Sequence, residues 1–131
     1  MKPAFALSAL AAVAFVASAH AHHSFAMFDR TTNVTLEGTV QEFELTNPHS
    51  WIYVMTEEPD GSMAEWTIEM GSPGGMGRAG WEADTVNPGD QITVEIHPLR
   101  DGTYGGQYIE ATLPDGTVMG GGDSGIAPAA R

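Results

Sequence analysis

The sequence has no cysteine and only one lysine, Lys2. The missing cysteine excludes disulfides, thiolate metal sites and cysteine nucleophiles, so the fold must be stable through packing alone. Beyond Lys2, 17 acidic residues stand against four arginines, a net charge of −13. Because such a surface repels phosphate groups, we expect neither nucleic acid nor an anionic membrane as a partner. The charge suits cations or a basic partner, although acidity also simply keeps a protein soluble.

Long apolar runs are also scarce, and the one that exists lies at the start. Residues 4–16 are apolar, follow Lys2, and precede the small-residue sites Ala17-Ser18-Ala19 and Ala19-His20-Ala21. This is the layout of a secretory signal peptide, and the run is too short for a membrane anchor. We predict cleavage after Ala19 or Ala21, a periplasmic or secreted product, and no membrane segment in the mature form.

The rest of the chain predicts one all-β domain. Apolar and polar residues alternate in runs that predict five strands, at 34–45, 51–56, 64–70, 91–99 and 108–113. Between the third and fourth runs, Ser72 and Pro73 predict a short helix that the surrounding glycines limit to one or two turns. Three strands, a helical connector and two strands is the order of an OB-fold, a small five-stranded barrel; a β-sandwich is the alternative.

Three units of sequence follow from these patterns. Residues 1–21 are predicted to be a cleaved signal peptide, and residues 22–119 a single OB-like domain. Residues 120–131 are rich in glycine and alanine, with one serine and one proline, and are predicted to be a disordered tail.

Two motifs resemble those of a known family. They are His22-His23-Ser24-Phe25, directly after the predicted signal, and the Asn-Pro-His-x-Trp segment at residues 47–51. With residues 69–73, 80–81 and 88–90, they are similar to a family of small exported proteobacterial proteins of unknown function. The resemblance implies an exported small β domain and no established activity.

The histidines beside the cleavage sites are the strongest candidates for chemistry. Cleavage after Ala19 leaves the amine of His20 two residues from His22, a chelate of four nitrogens that suits Cu(II) and Ni(II). Cleavage after Ala21 instead makes His22 bidentate through its amine and ring, with His23 beside it. The alternative is that these histidines are only the end of a signal peptide.

A ligand from the folded domain would complete such a site. His49 is the first candidate and His97 the second, although a histidine after a proline turn more often bonds a nearby carbonyl. Glu69 could serve as an acidic ligand, but its position on a strand favours an exposed side chain. We therefore predict a copper site from His20, His22, His23 and His49.

Three functions remain open at this point. The first is a periplasmic, non-enzymatic protein that binds copper as its cofactor. The second is an OB-like interaction module that binds a partner protein or a small ligand without metal, using aromatic residues such as Trp51 and Tyr53. The third, a copper oxidoreductase with a histidine brace, is distant because the chain is small for an oxygenase.

Overall fold

The period-two alternation of the sequence produces strands that close into a barrel. The structure is a computed structural model, and it describes residues 25–121. After a short 3₁₀ turn at Phe25–Met27, the elements are β1 (Val34–Glu44), β2 (Trp51–Glu57), β3 (Met63–Glu69), α1 (Pro73–Arg78), β4 (Gln91–Pro98), β5 (Gly105–Thr112) and β6 (Val118–Met119). The helix α1 has the predicted length, and Ser72 caps it by accepting a hydrogen bond from Gly75 N at 3.2 Å.

One long strand holds the two halves of the sheet together. The first half of β1 pairs antiparallel with β4, and its second half pairs antiparallel with β2, with an irregularity between Val40 and Glu42. At Gly38 the backbone passes so close to Met55 O that a Cβ atom would clash with it. A glycine at this point therefore lets the strand change partners without a side chain in the way.

The barrel closes through a parallel pairing of β3 with β5. The strand order is β3-β2-β1-β4-β5-β6, and the partners across the closure are Thr67 with Gly105, Ile68 with Gly106 and Glu69 with Gln107. This is the five-stranded OB-like barrel with its helical connector that the sequence predicts, and the sandwich alternative is wrong. The sixth strand only extends the edge beside β5.

The core fills the barrel and lies under the helix. Inward-facing residues of the strands, including Ile52, Val54, Ile68, Val94 and Ile96, are almost fully buried. The connector adds Met76 and Trp81, and Trp81 packs edge-to-face on Tyr108 with ring centroids 5.7 Å apart. No helix within residues 25–121 has the length and apolar character that a membrane crossing requires.

Candidate functional site

The turn between β1 and β2 places His49 at the rim of the barrel. Asn47 and Pro48 are joined by a cis peptide bond, and Thr46 Oγ1 donates a hydrogen bond to the carbonyl of His49 at 2.9 Å. The next residue, Ser50, is fully buried and pairs with Gly71 and Met70 through its backbone. His49 is therefore fixed from both sides, with its side chain about one-third exposed.

The imidazole of His49 contacts the carboxylate of Glu69. The contact joins His49 Nδ1 to Glu69 Oε1, at the last residue of β3. Glu69 is only 6% exposed, so the expectation of an exposed glutamate is wrong. Period-two alternation does put Glu69 on the outer face, opposite Ile68, but the turn at residues 46–50 covers that part of the face. A carboxylate that accepts from Nδ1 fixes the neutral ring in the tautomer whose lone pair is on Nε2.

His49 and Glu69 share a cavity with the N-terminal end of the described chain. The cavity measures about 190 Å³, and its lining includes Phe25, Pro48 and Gln107 besides the His49–Glu69 pair. Three parts of the chain that are far apart in the sequence therefore meet at this cavity: the start of the domain, the β1–β2 turn and the β3–β5 closure.

The segment that leads into the cavity is fastened to the end of β4. Phe28 is buried and forms a β-bridge with Leu99, and Asp29 N–H donates to Pro98 O at 2.8 Å. Arg100 donates through its backbone to Met27 O at 2.9 Å and through Nε to Ala26 O at 3.1 Å. These bonds hold residues 26–29, directly after Phe25, against the end of β4.

Asp29 also fixes the residues that follow it in this segment. Its carboxylate accepts hydrogen bonds from the backbone and hydroxyl of Thr31 and from the hydroxyl of Thr32. These bonds, with Thr31 contributing most and Arg100 adding a favourable charge, lower the pKa of Asp29 from 3.8 to about 2.

The second histidine candidate within the domain has a different environment. His97 is 7% exposed, and its Nδ1 lies 3.0 Å from Thr32 O. It does not line the cavity of His49 and Glu69. Its surroundings fit a histidine that holds the N-terminal segment on β4, so His49 is the ligand candidate that the barrel supports.

The remaining predicted ligands, His20, His22 and His23, lie outside the described residues. Within residues 25–121, no group of three or more histidine, aspartate, glutamate or cysteine side chains could hold a metal ion. The described barrel thus brings together one imidazole and one carboxylate, and any further nitrogen ligand must come from elsewhere.

A second cavity lies beside the first, and Glu69 borders both. It measures about 270 Å³ and is lined mainly by apolar groups, among them Phe28, Trp51, Leu99 and Tyr104. Trp51 shares one half-buried face of β2 with Tyr53 and Met55, while Ile52 and Val54 enter the core. Tyr104 is half exposed and stacks edge-on against Trp66, with ring centroids 5.2 Å apart.

Sequence reasoning did not find Gln107. The sequence predicts the fifth strand at residues 108–113, which leaves Gln107 outside it. In the structure Gly105 and Gly106 pair with β3, and Gln107 follows them on the outer face with only 4% exposure. Nothing in the local pattern signals this burial, since it depends on the parallel pairing of distant strands.

Comparison with known proteins places this site in a wider context. Residues 9–108 match the family described as "Family of unknown function (DUF6152)". The chain belongs to this family. The matched range contains the histidines at 20, 22, 23 and 49 as well as Glu69 and Gln107. Searches of curated proteins and of solved structures found no match.

Proposed function

We propose that this DUF6152 member is an exported, non-enzymatic binding protein that holds one copper ion between its processed N-terminus and the rim of the barrel. The ligands in this proposal are the new α-amine and His22, assisted by His23 and His49; cleavage after Ala19 would add His20. The periplasm, or the exterior, is its place of action. The proposal includes the export that the signal-like residues 1–21 predict.

One observation carries the proposal: Phe25 lines the same cavity as His49 and Glu69. His23 and His22 are two and three residues before Phe25 in the sequence. Three extended residues span at most about 10 Å, so an imidazole or amine at these positions is within reach of the cavity. The described barrel supplies too few ligands for a metal ion. The histidines that precede Phe25 in the sequence would add the nitrogen ligands that the barrel lacks.

The donor set fits copper better than other common metals. Imidazole and amine nitrogens with a carboxylate nearby suit a tetragonal Cu(II) site, and no thiolate is available. The Glu69–His49 contact is also the arrangement in which a carboxylate orients a metal-binding histidine and raises its basicity. The net charge of −13 attracts cations to the molecule.

The test is a Cu(II) titration of protein that starts at the native cleavage site, compared with protein that carries a tag in front of His22. We expect tight binding of one ion only in the native-start protein, because the tag removes the free amine. Binding should weaken as pH falls through about 6, because imidazole must lose its proton to ligate. Equal, weak binding in both forms would refute the proposal.

Two variants locate the site on the barrel. His49→Ala should reduce the affinity of the native-start protein, and Glu69→Gln should reduce it about 10-fold by removing the carboxylate charge that raises the basicity of His49. Glu65→Gln, on the exposed face of the same strand, is the matched control and should leave the affinity unchanged. If neither His49 nor Glu69 affects binding, the ion is held by the terminus alone.

The second cavity favours the alternative, an OB-like module that binds a small ligand or partner protein without metal. The cavity lies over β2 and β3, the face on which OB-folds bind their ligands, and Trp51 and Tyr104 present aromatic surface there. Two results together would support this alternative: the natively exported protein contains no copper, and Trp51→Ala abolishes the binding of a partner.

A further inference from the structure

The first half of β3 has an edge that no other strand covers. β2 pairs with β3 along its whole length, from Met63 to Glu69, whereas β5 pairs with β3 only at residues 67–69. The edge of residues 63–66 that faces away from β2 therefore has no strand partner within residues 25–121. The side chains along this edge are accessible, since Glu65 is exposed and Met63 is 61% exposed.

The backbone groups on this edge are those of Met63 and Glu65. Thr67 N–H donates to Tyr104 O at 3.2 Å, on the side of β3 that faces away from β2. Because the direction of the backbone groups alternates along a strand, Met63 and Glu65 also direct their N–H and C=O groups away from β2. No group in the described part of the chain pairs with the N–H and C=O of Glu65. They can therefore pair with an added strand.

The surface around this edge is acidic. In the register of β2 and β3, Glu65 lies opposite Met55 and Met63 lies opposite Glu57, all on the outer face of the barrel. Residues 34–69 contain eight acidic residues and no arginine or lysine. The described arginines lie before β1, in α1 and after β4. Because opposite charges on neighbouring strands are stabilising, this edge favours a strand with a basic residue beside Glu65.

A second copy of this chain does not suit the edge. Two β3 edges paired with each other would bring the carboxylates of both copies together, and each copy has a net charge of −13 beyond Lys2. The inner side of the edge adds a further preference. There Trp66 is partly buried and its ring lies 5.2 Å from that of Tyr104, so an apolar side chain fits beside it.

We propose that residues 63–66 of β3 accept an added strand from a partner protein, an extended segment in which lysine or arginine alternates with apolar residues. The backbone of Glu65 pairs with the backbone of the segment, and a basic side chain of the segment lies beside the Glu65 carboxylate. Backbone pairing of this kind provides affinity, and the alternating side chains provide specificity. The interaction is independent of the proposed copper site, because this edge does not line the cavity of His49 and Glu69.

The experiment measures hydrogen exchange of the Glu65 amide by nuclear magnetic resonance, with and without a short peptide of alternating lysine and valine. In the free protein this amide should exchange faster than that of Trp66, which the same alternation directs toward β2. At nine-tenths occupancy the peptide should slow exchange of the Glu65 amide about 10-fold. A Glu65 amide as protected as that of Trp66 in the free protein would show that the edge is already covered, and would overturn the inference.

A methylated peptide separates strand pairing from attraction by charge alone. A peptide of the same sequence, methylated on its backbone nitrogens, keeps its charge but donates no backbone hydrogen bonds. It should bind about 10-fold more weakly than the unmodified peptide. Equal binding of the two peptides, or no binding of the unmodified one, would overturn the inference. Protection of the Glu65 amide that rises with protein concentration alone would also overturn it, because a second copy would then be the occupant.

Charge reversal locates the interaction on β3. Glu65→Lys should weaken binding of the unmodified peptide about 10-fold, because a like-charge pair replaces a pair of opposite charge. Glu37→Lys makes the same change at an exposed position of β1 that pairs with β4, and is the matched control. It should have a much smaller effect. Equal losses in the two variants would show that the peptide responds only to the net charge of the protein.

Discussion

At the scale of single residues, the most consequential side chains are those that join distant parts of the sequence. Asp29 is one of them, because its carboxylate shapes the segment that leads to the cavity while Arg100 holds that segment from the end of β4. Its hydrogen bonds favour the ionised carboxylate, and this preference makes the segment sensitive to acid.

We predict that the N-terminal segment loosens when Asp29 is protonated. The pKa of Asp29 is about 2 in the folded chain and 3.8 without its partners. The stabilisation it provides is therefore complete above about pH 4 and disappears as pH falls through about 2. The protection factor of the Asp29 amide against hydrogen exchange should fall over this range before the barrel unfolds, because this amide donates to Pro98 O in the folded chain.

The matched variants for this prediction are Asp29→Asn and Asp60→Asn. Asp60 forms a similar turn with Ser62, and its pKa is also lowered, but it lies between β2 and β3. Asp29→Asn should speed exchange at the N-terminal segment already at pH 7, and Asp60→Asn should not. Identical exchange in both variants would mean that Asp29 does not hold the segment.

Residue roles were the hardest part to predict from the sequence. His49 is a ligand candidate from the sequence because its Asn-Pro-His turn precedes a strand; the structure places it in contact with Glu69, and its role as a ligand stays a prediction. The burial of Glu69 was missed, because alternation tells which face a residue occupies but not whether another segment covers that face. The burial of Gln107 was missed because it depends on the parallel pairing of β3 with β5.

At the scale of elements, the order of strands and helix along the chain and the OB-like barrel were predictable, whereas the register of the closing pair of strands was not. The five main strands and the helix were found from alternation and capping, which are local signals. The parallel contact of β3 with β5 brings together Ile68 and Gly106, which are far apart in the sequence, and no local pattern encodes it. The fifth strand therefore begins three residues earlier than predicted, at Gly105 rather than Tyr108.

The glycine at the closure gives a sharp prediction at this scale. A Cβ atom on Gly106 would lie 2.6 Å from Ile96 Cδ1 and 2.7 Å from His97 O. The carbonyl belongs to the backbone of β4 and cannot move without disturbing its pairing with β5. Gly106→Ala should therefore lower the free energy of unfolding by about 1–3 kcal/mol, measured by urea denaturation.

A glycine-to-alanine substitution in the helix should instead raise the free energy of unfolding. Gly77 lies within α1, has no atom within 4 Å of an added Cβ, and adopts no positive φ. Gly77→Ala should raise the free energy of unfolding by about 0.4–1 kcal/mol, because alanine loses less conformational freedom on folding. A destabilised Gly77→Ala, or a neutral Gly106→Ala, would contradict the packing described for the closure and the helix.

At the scale of the whole molecule, the dominant physical fact is uncompensated negative charge. Acidic residues even face each other across strands: Glu95 is directly opposite Glu110 on β4 and β5, and like charges in such positions are destabilising. The pKa of Tyr53 is raised by its burial and then by nearby glutamates, Glu44 foremost, which shows the same field acting on a neutral group. The packing of the core therefore has to offset this repulsion.

This charge predicts that the thermal midpoint rises with salt. Raising sodium chloride from 10 to 100 mM shortens the screening length from about 30 to about 10 Å and so weakens the repulsion among the 17 carboxylates. Each kcal/mol of repulsion relieved should raise the midpoint by about 4–8 °C in a domain of this size.

Glu110→Gln should raise the midpoint at low salt and reduce the further gain from salt. Tetramethylammonium chloride should act like sodium chloride if screening is the cause, whereas an effect of sodium alone would indicate specific ion binding. A midpoint that falls with salt would show that attractive ion pairs, such as Arg100 with Asp29, outweigh the repulsion.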